Sequence, residues 1–158
     1  MSTIVSKTPK DSEVVMREIV MPNMTNPHGT IFGGQLVAWM DIAAVMVAEK
    51  HSQSPVVTVH IDDVNFINNT KLGCHVKISA SLHYVGNTSM VIGVMDESEN
   101  PYTQEIVLTT KAYLTFVAID EDGKAKSVPV LTPETKEEIE RYQKAKQSVA
   151  ARKKQRES

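Results

Sequence analysis

The stretch QLVAWMDIAAVMVAEK, residues 35–50, decides the fold of this chain. It runs for 16 residues without Gly or Pro and is rich in good helix formers. Leu36, Val37, Met40, Ala43, Ala44 and Val47 cover most of its circumference, the pattern of a helix buried in a core. The longest apolar run, Leu36 to Ala48, is broken by Asp41. A bilayer span needs ~20 apolar residues, so no membrane crossing is expected. Pro55 helps to end the helix.

Upstream, MPNMTNPHGTIFGG is dense in Pro, Asn and Gly and reads as a long ordered loop. Before it, SEVVMREIVM (residues 12–21) mixes β-branched and polar residues as a strand does. Residues 1–11 are polar and expected to be loose. Downstream of the helix the period changes to two. Val57, Val59 and Ile61 alternate with Thr58, His60 and Asp62, which predicts one shared face for Thr58, His60 and Asp62. Val76, Ile78, Ala80 and Leu82 alternate with Lys77, Ser79, Ser81 and His83. Gly86-Asn87 predicts a tight turn into SMVIGVMD, and a long strand follows from about Thr103 to Ile119. The pattern is therefore α+β: one strand, a buried helix, then four antiparallel strands.

A length of 158 residues with 41% apolar content fits a single packed domain. The net charge of −2 gives no reason to expect nucleic acid as a main partner. The N-terminus lacks the apolar core of a secretory signal. The single cysteine, Cys74, can form neither an intrachain disulfide nor a cysteine metal cluster. A cytoplasmic protein is expected. Residues 132–158 carry eight Lys/Arg and five Asp/Glu, acids early and bases late, as a helix dipole favours. Thr132-Pro133-Glu134 predicts the start of that helix, as cap, first-turn proline and acidic residue. A solvated helix on the rim of an oligomer is its simplest reading, since aromatic residues for stacking on bases are scarce.

The junction of loop and helix, Asn26 to Gln35, carries the chemistry. Gly29, Gly33 and Gly34 have neither dinucleotide nor P-loop spacing. They place open backbone at a helix N-terminus, where unpaired N–H groups stabilise an oxygen that gains charge. Asp41 lies two turns further on, among apolar neighbours, with no Lys or Arg at positions 37, 38, 44 or 45. A carboxylate in dry surroundings has a raised pKa and suits a general base or nucleophile. His28 and Thr58 carry weaker signals of their own. The five histidines lack metal-ligand spacing, and G-x-S-x-G is absent. No metal and no cofactor are expected.

The string NPHGTIFGGQLVAWMDIAA closely resembles the signature of hotdog-fold acyl-CoA thioesterases, nearest the YciA and brain acyl-CoA hydrolase branch. VTVHIDDVNF (57–66), GNTSM (86–90), AYLTFVAID (112–120) and VPVL (128–131) extend the likeness over residues from about 13 to 131, in order. The resemblance implies a hotdog fold, a long helix wrapped by an antiparallel sheet, as one domain over residues 12–131 with a charged C-terminal helix after it. It implies hydrolysis of fatty acyl-CoA to free acid and CoA. Asn26 would orient the thioester or the attacking water, Asp41 would act as base or nucleophile, and Thr58 would help to hold the water. The backbone N–H near Gly34 would polarise the carbonyl, and Asn87, Thr88 and Ser89 would contact CoA. Sites in this family form between two hotdog units, so the resemblance implies at least a homodimer and suggests a trimer of dimers.

Two other readings compete. A hotdog module that binds acyl-CoA without cleaving it would not need Asn26 and Asp41 together, and the DNA-binding segment of lipid-responsive repressors has no counterpart before residue 12. A hotdog hydratase typically pairs Asp with His in a different loop pattern.

Overall fold

The computed structural model describes residues 6–157. The part of the expected loose N-terminus at residues 1–5 lies outside them. Ser6–Lys7 (β1) pairs in parallel with Val130–Leu131 (β7), and a short 3-10 turn follows at Pro9–Asp11. The main sheet is antiparallel, with spatial order β2-β4-β5-β6-β3. Its strands are Val14–Ile19 (β2), Val56–Phe66 (β3), His75–Val85 (β4), Ser89–Glu99 (β5) and Ile106–Ala118 (β6). The helix α1, Gly33–Ser52, lies across one face, and the sheet curls round it. This is the expected arrangement of a wrapped helix with an early strand at one edge.

The core forms where the two periodicities meet. Leu36, Met40, Ala43, Ala44 and Val47 of α1 pack on Val76, Ile78, Leu82, Met90, Ile92, Leu114 and Phe116, all buried. The helix stops at Gln53, whose backbone is left-handed at φ 53° and whose N–H bonds to Glu49 O at 2.7 Å.

Burial of α1 is one-sided, contrary to the sequence pattern. Ile42 is 50% exposed, Ala38 is exposed and Asp41 is half-buried. The sheet covers only the face turned towards it. A helix apolar all round on one chain therefore leaves a second apolar face open.

The second helix, α2, spans Lys136–Glu157 and begins four residues after the expected cap, Thr132. Thr132 is taken by the N-terminal strand, through its hydroxyl to Ser6 and its N–H to Lys7 O. Thr135 caps instead. The Glu138 N–H donates to Thr135 Oγ1 at 3.1 Å and the Thr135 N–H to Glu138 Oε1 at 3.0 Å, a reciprocal capping box. Most residues of α2 are exposed, as expected of a solvated helix. The helix lies over the outer face of its own sheet, with Ala145 buried and Tyr142 edge-on to Tyr84.

Candidate active site

Asp41 projects from α1 towards the edge strand β3, where Thr58 donates its hydroxyl to Asp41 Oδ1 at 3.0 Å. Among the described residues Asp41 makes no salt bridge. Thr58 offers it a neutral hydroxyl, so the carboxylate keeps lone pairs free to take a proton.

The strand reaches the helix because it is bulged. Thr58 pairs with Phe116, a core residue, but the register slips at Val59 and His60 pairs with Thr115. The extra residue turns the chain over. Thr58 therefore faces α1, whereas Asp62 meets Arg152 of α2 at 3.8 Å and His60 at 3.3 Å. The single face predicted for Thr58, His60 and Asp62 does not exist, because strict alternation fails at a bulge.

Asn26 lies in the loop before α1, held by a local hydrogen-bond ring. Its Oδ1 accepts from the His28 N–H at 3.0 Å and the Thr30 N–H at 3.3 Å, and its Nδ2 donates to Thr30 Oγ1 at 2.9 Å. The backbone joins in, Asn26 N–H to Thr30 O at 2.8 Å. The side chain is thus set in one orientation before any substrate arrives. His28 is exposed and takes part through its backbone.

Phe32 caps α1 without a side-chain hydrogen bond. The amides of Gly33 and Gly34 donate to no acceptor among the described residues. Both glycines also serve packing. A Cβ on Gly33 would lie 3.1 Å from the Phe66 ring, and one on Gly34 would lie 3.1 Å from the Phe32 ring. Gly34 stands seven residues before Asp41, about 10 Å along a helix rising 1.5 Å per residue. One reacting carbonyl cannot touch both on the same helix.

Asn87 and Thr88 lie in the turn from β4 to β5 and Ser89 opens β5, as expected of Gly86-Asn87. Asn87 Oδ1 accepts from the Ser127 hydroxyl at 3.1 Å, and Asn87 O from the Val128 N–H at 2.9 Å. Thr88 O accepts from the Ala118 N–H at 3.1 Å, and Ser89 O from the Gly86 N–H at 2.9 Å. No hydrogen bond joins this turn to Asp41 or Asn26 among the described residues.

Three ionisable groups escaped the sequence reading. Asp96 is fully buried on the helix side of β5, and neither carboxylate oxygen has a hydrogen-bond partner among the described residues. Burial pushes its pKa up to about 8. His51, fully buried, joins the end of α1 to Pro129 O at 2.8 Å through Nε2. Burial lowers its pKa. His83 occupies a bulge in β4 between Leu82 and Tyr84.

Residues 28–103 match the family model described as Thioesterase superfamily. An uncharacterised acyl-CoA thioester hydrolase of Bacillus subtilis, YkhA, is 37% identical over 144 residues, covering 91% of this chain and 84% of that protein. A hexameric acyl-CoA thioesterase solved in its apo form superposes with a TM-score of 0.92 at 39% identity, covering 96% and 97% of the two chains. An acyl-CoA hydrolase of Staphylococcus aureus, solved with butyryl-CoA, CoA and CoA disulfide, gives a TM-score of 0.88 at 36% identity over 96% and 92%. Variants of that enzyme were solved with alanine in place of one asparagine, one aspartate and one threonine. The fold and the relatives define a hotdog-fold protein. The chain belongs to the thioesterase superfamily.

Proposed function

We propose that this protein hydrolyses fatty acyl-CoA to free fatty acid and CoA, with Asp41 as the acid–base group. The observation that carries the reading is Asp41 itself: a carboxylate on an uncovered apolar helix face, bonded to Thr58 and paired with no cation among the described residues. Support comes also from the Staphylococcus aureus enzyme. Its substituted asparagine, aspartate and threonine stand 15 and 17 residues apart, the spacing of Asn26, Asp41 and Thr58.

A thioester carbonyl is a good electrophile, because sulfur donates little resonance to it. Asp41 takes a proton from water as the water oxygen bonds to the carbonyl carbon. Thr58 holds the carboxylate in aim and helps to seat the water. A free amide at Gly33–Gly34 stabilises the oxygen that gains charge, an effect worth ~3 kcal/mol per donor. Asn26 orients the thioester. The carbon–sulfur bond then breaks, and the proton passes from Asp41 to the departing CoA thiolate. Asp41 as the nucleophile itself is the variant of this scheme.

The active unit is a homo-oligomer, a dimer at least and a trimer of dimers in full. Val57, Val59 and Ile61 on the edge strand β3 are 42%, 53% and 39% exposed, and Ile42 of α1 is 50% exposed. Apolar surface on an edge strand calls for a partner. A second copy there would dry Asp41 and bring the other chain's Asn26 loop within reach, resolving the ~10 Å gap along α1. Asn87, Thr88 and Ser89 would then contact CoA. We place the enzyme in the cytoplasm, in keeping with its half-buried free thiol, Cys74.

Release of free thiol from acyl-CoAs of graded length, acetyl to palmitoyl, tests the proposal. Turnover of at least one fatty acyl-CoA is expected. Binding of every member without thiol release would make the chain an acyl-CoA sensor.

A further inference from the structure

On the face of the sheet away from Asp41, under α2, lies a cavity of about 290 Å³. Its floor includes Tyr113 of β6 and the bulged His83 of β4, whose rings meet edge to face at 5.7 Å. Gly93 makes room for the imidazole, since a Cβ there would sit 2.2 Å from the ring. Four cations reach the walls: Lys111 from β6 and Arg141, Lys144 and Arg152 from α2. Against them stand two carboxylates of β3, Asp62 and Asp63.

The cations are not spent on one another's partners. Asp62 is shared between His60 and Arg152, and Arg141 pairs with Glu137 at 2.7 Å on the solvent side. Lys111 and Lys144 form no salt bridge with any described residue. The Nε of Arg152 is buried with no hydrogen-bond partner among the described residues, a costly state for a charged donor. Burial, and then the charges of Arg141 and Lys144, push the His83 imidazole down to about 4. The ring is neutral at pH 7, so it adds a polar contact and no further charge.

We propose that this cavity is a second binding site, for a compact phosphate-bearing anion held by Lys111 and Lys144, with the charge of Arg152 at the wall and His83 and Tyr113 beneath. Clustered lysine and arginine charges suit phosphate oxygens, and the Arg152 guanidinium, held through Nη1 beside Asp62 and through Nη2 donating to Thr115 Oγ1 at 3.4 Å, adds fixed positive charge at the wall. The site is separate from the hydrolytic one, because the bulge at Val59 sends Thr58 to one side of the sheet and Asp62 to the other.

The probe is inorganic pyrophosphate, titrated at constant ionic strength into the whole protein saturated with CoA, so that CoA phosphate contacts are already filled. The His83 ring proton is followed by NMR. A saturable shift is expected, and the midpoint of the His83 titration should move up as the anion offsets Arg141 and Lys144. The double variant Lys111→Ala/Lys144→Ala should bind at least ~10-fold more weakly, given the usual strength of charged hydrogen bonds. Lys124→Ala/Lys126→Ala, which removes equal charge from an exposed loop, should bind like the parent. No saturable response, equal binding by the Lys111/Lys144 variant, or binding seen only when CoA is left out would each overturn the proposal.

Discussion

Thr58 on the edge strand and Asp41 on the central helix are joined side chain to side chain at 3.0 Å, across 17 residues of sequence. The contact depends on the bulge that turns Thr58 inward. Thr58→Ala should lower turnover by ~10-fold or more, because a hydrogen bond to a charged group contributes about 1.5–3 kcal/mol. Thr58→Ser should recover most of it, and Thr58→Val should not. Thiol-release rates of the three variants check this.

Asn26 is aimed by Thr30, whose hydroxyl and amide both meet its side chain. Thr30→Val keeps the shape and removes the hydroxyl. It should cut kcat by roughly 3- to 10-fold, the worth of one neutral hydrogen bond. Asn26→Ala should cost ~100-fold, since the orienting amide itself is gone. If both variants match the parent in single-turnover rate, the loop has no part in the chemistry.

A site shared between chains makes a sharper prediction. Asn26→Ala and Asp41→Ala subunits, each inactive alone, should regain roughly a quarter of parental activity when co-assembled at random, because half the dimers then hold one intact site. Charged substitution on the edge, Val59→Lys with Ile61→Lys, should give a monomer by sedimentation and abolish turnover together with assembly.

The fold was legible in the sequence because its two signals are strong. An uninterrupted apolar helix and strands of period two leave few architectures open. The site was legible in part. Asp41 and Gly34 stand out as a polar and a bare position within an apolar or turn-rich context, and Asn26 and Thr58 only through the resemblance. What was lost depends on local irregularity or on other chains. The bulge at Val59 leaves no mark in a string of alternating residues. The open face of α1 reads as core, because a partner's surface and a core ask for the same residues. Thr132 and Thr135 are both plausible caps, and only the reciprocal bond from Glu138 separates them. Asp96 could have been found: alternation from Ile92 and Val94 already points it inward.

That buried carboxylate gives a pH prediction. Asp96 has no hydrogen-bond partner among the described residues, and burial raises its pKa to about 8, from 3.8 in the unfolded chain. Between those values the folded protein holds a proton that the unfolded chain has released. Stability should therefore fall as pH rises from ~4 to ~8, by about 1.4 kcal/mol per unit at most from this residue. Asp96→Asn should remove that slope, gaining stability at pH 8 and changing little at pH 4. Denaturant unfolding of parent and variant across this range measures it.

The most direct test of the central claim is the rate of thiol release by Asp41→Asn from an acyl-CoA that the parent turns over. The substitution keeps the side chain's size and its hydrogen bond from Thr58 while removing the base. Turnover should drop at least ~100-fold, within the range that an oriented general base supplies, with assembly and CoA binding unchanged. An Asp41→Asn enzyme as fast as the parent would contradict the account.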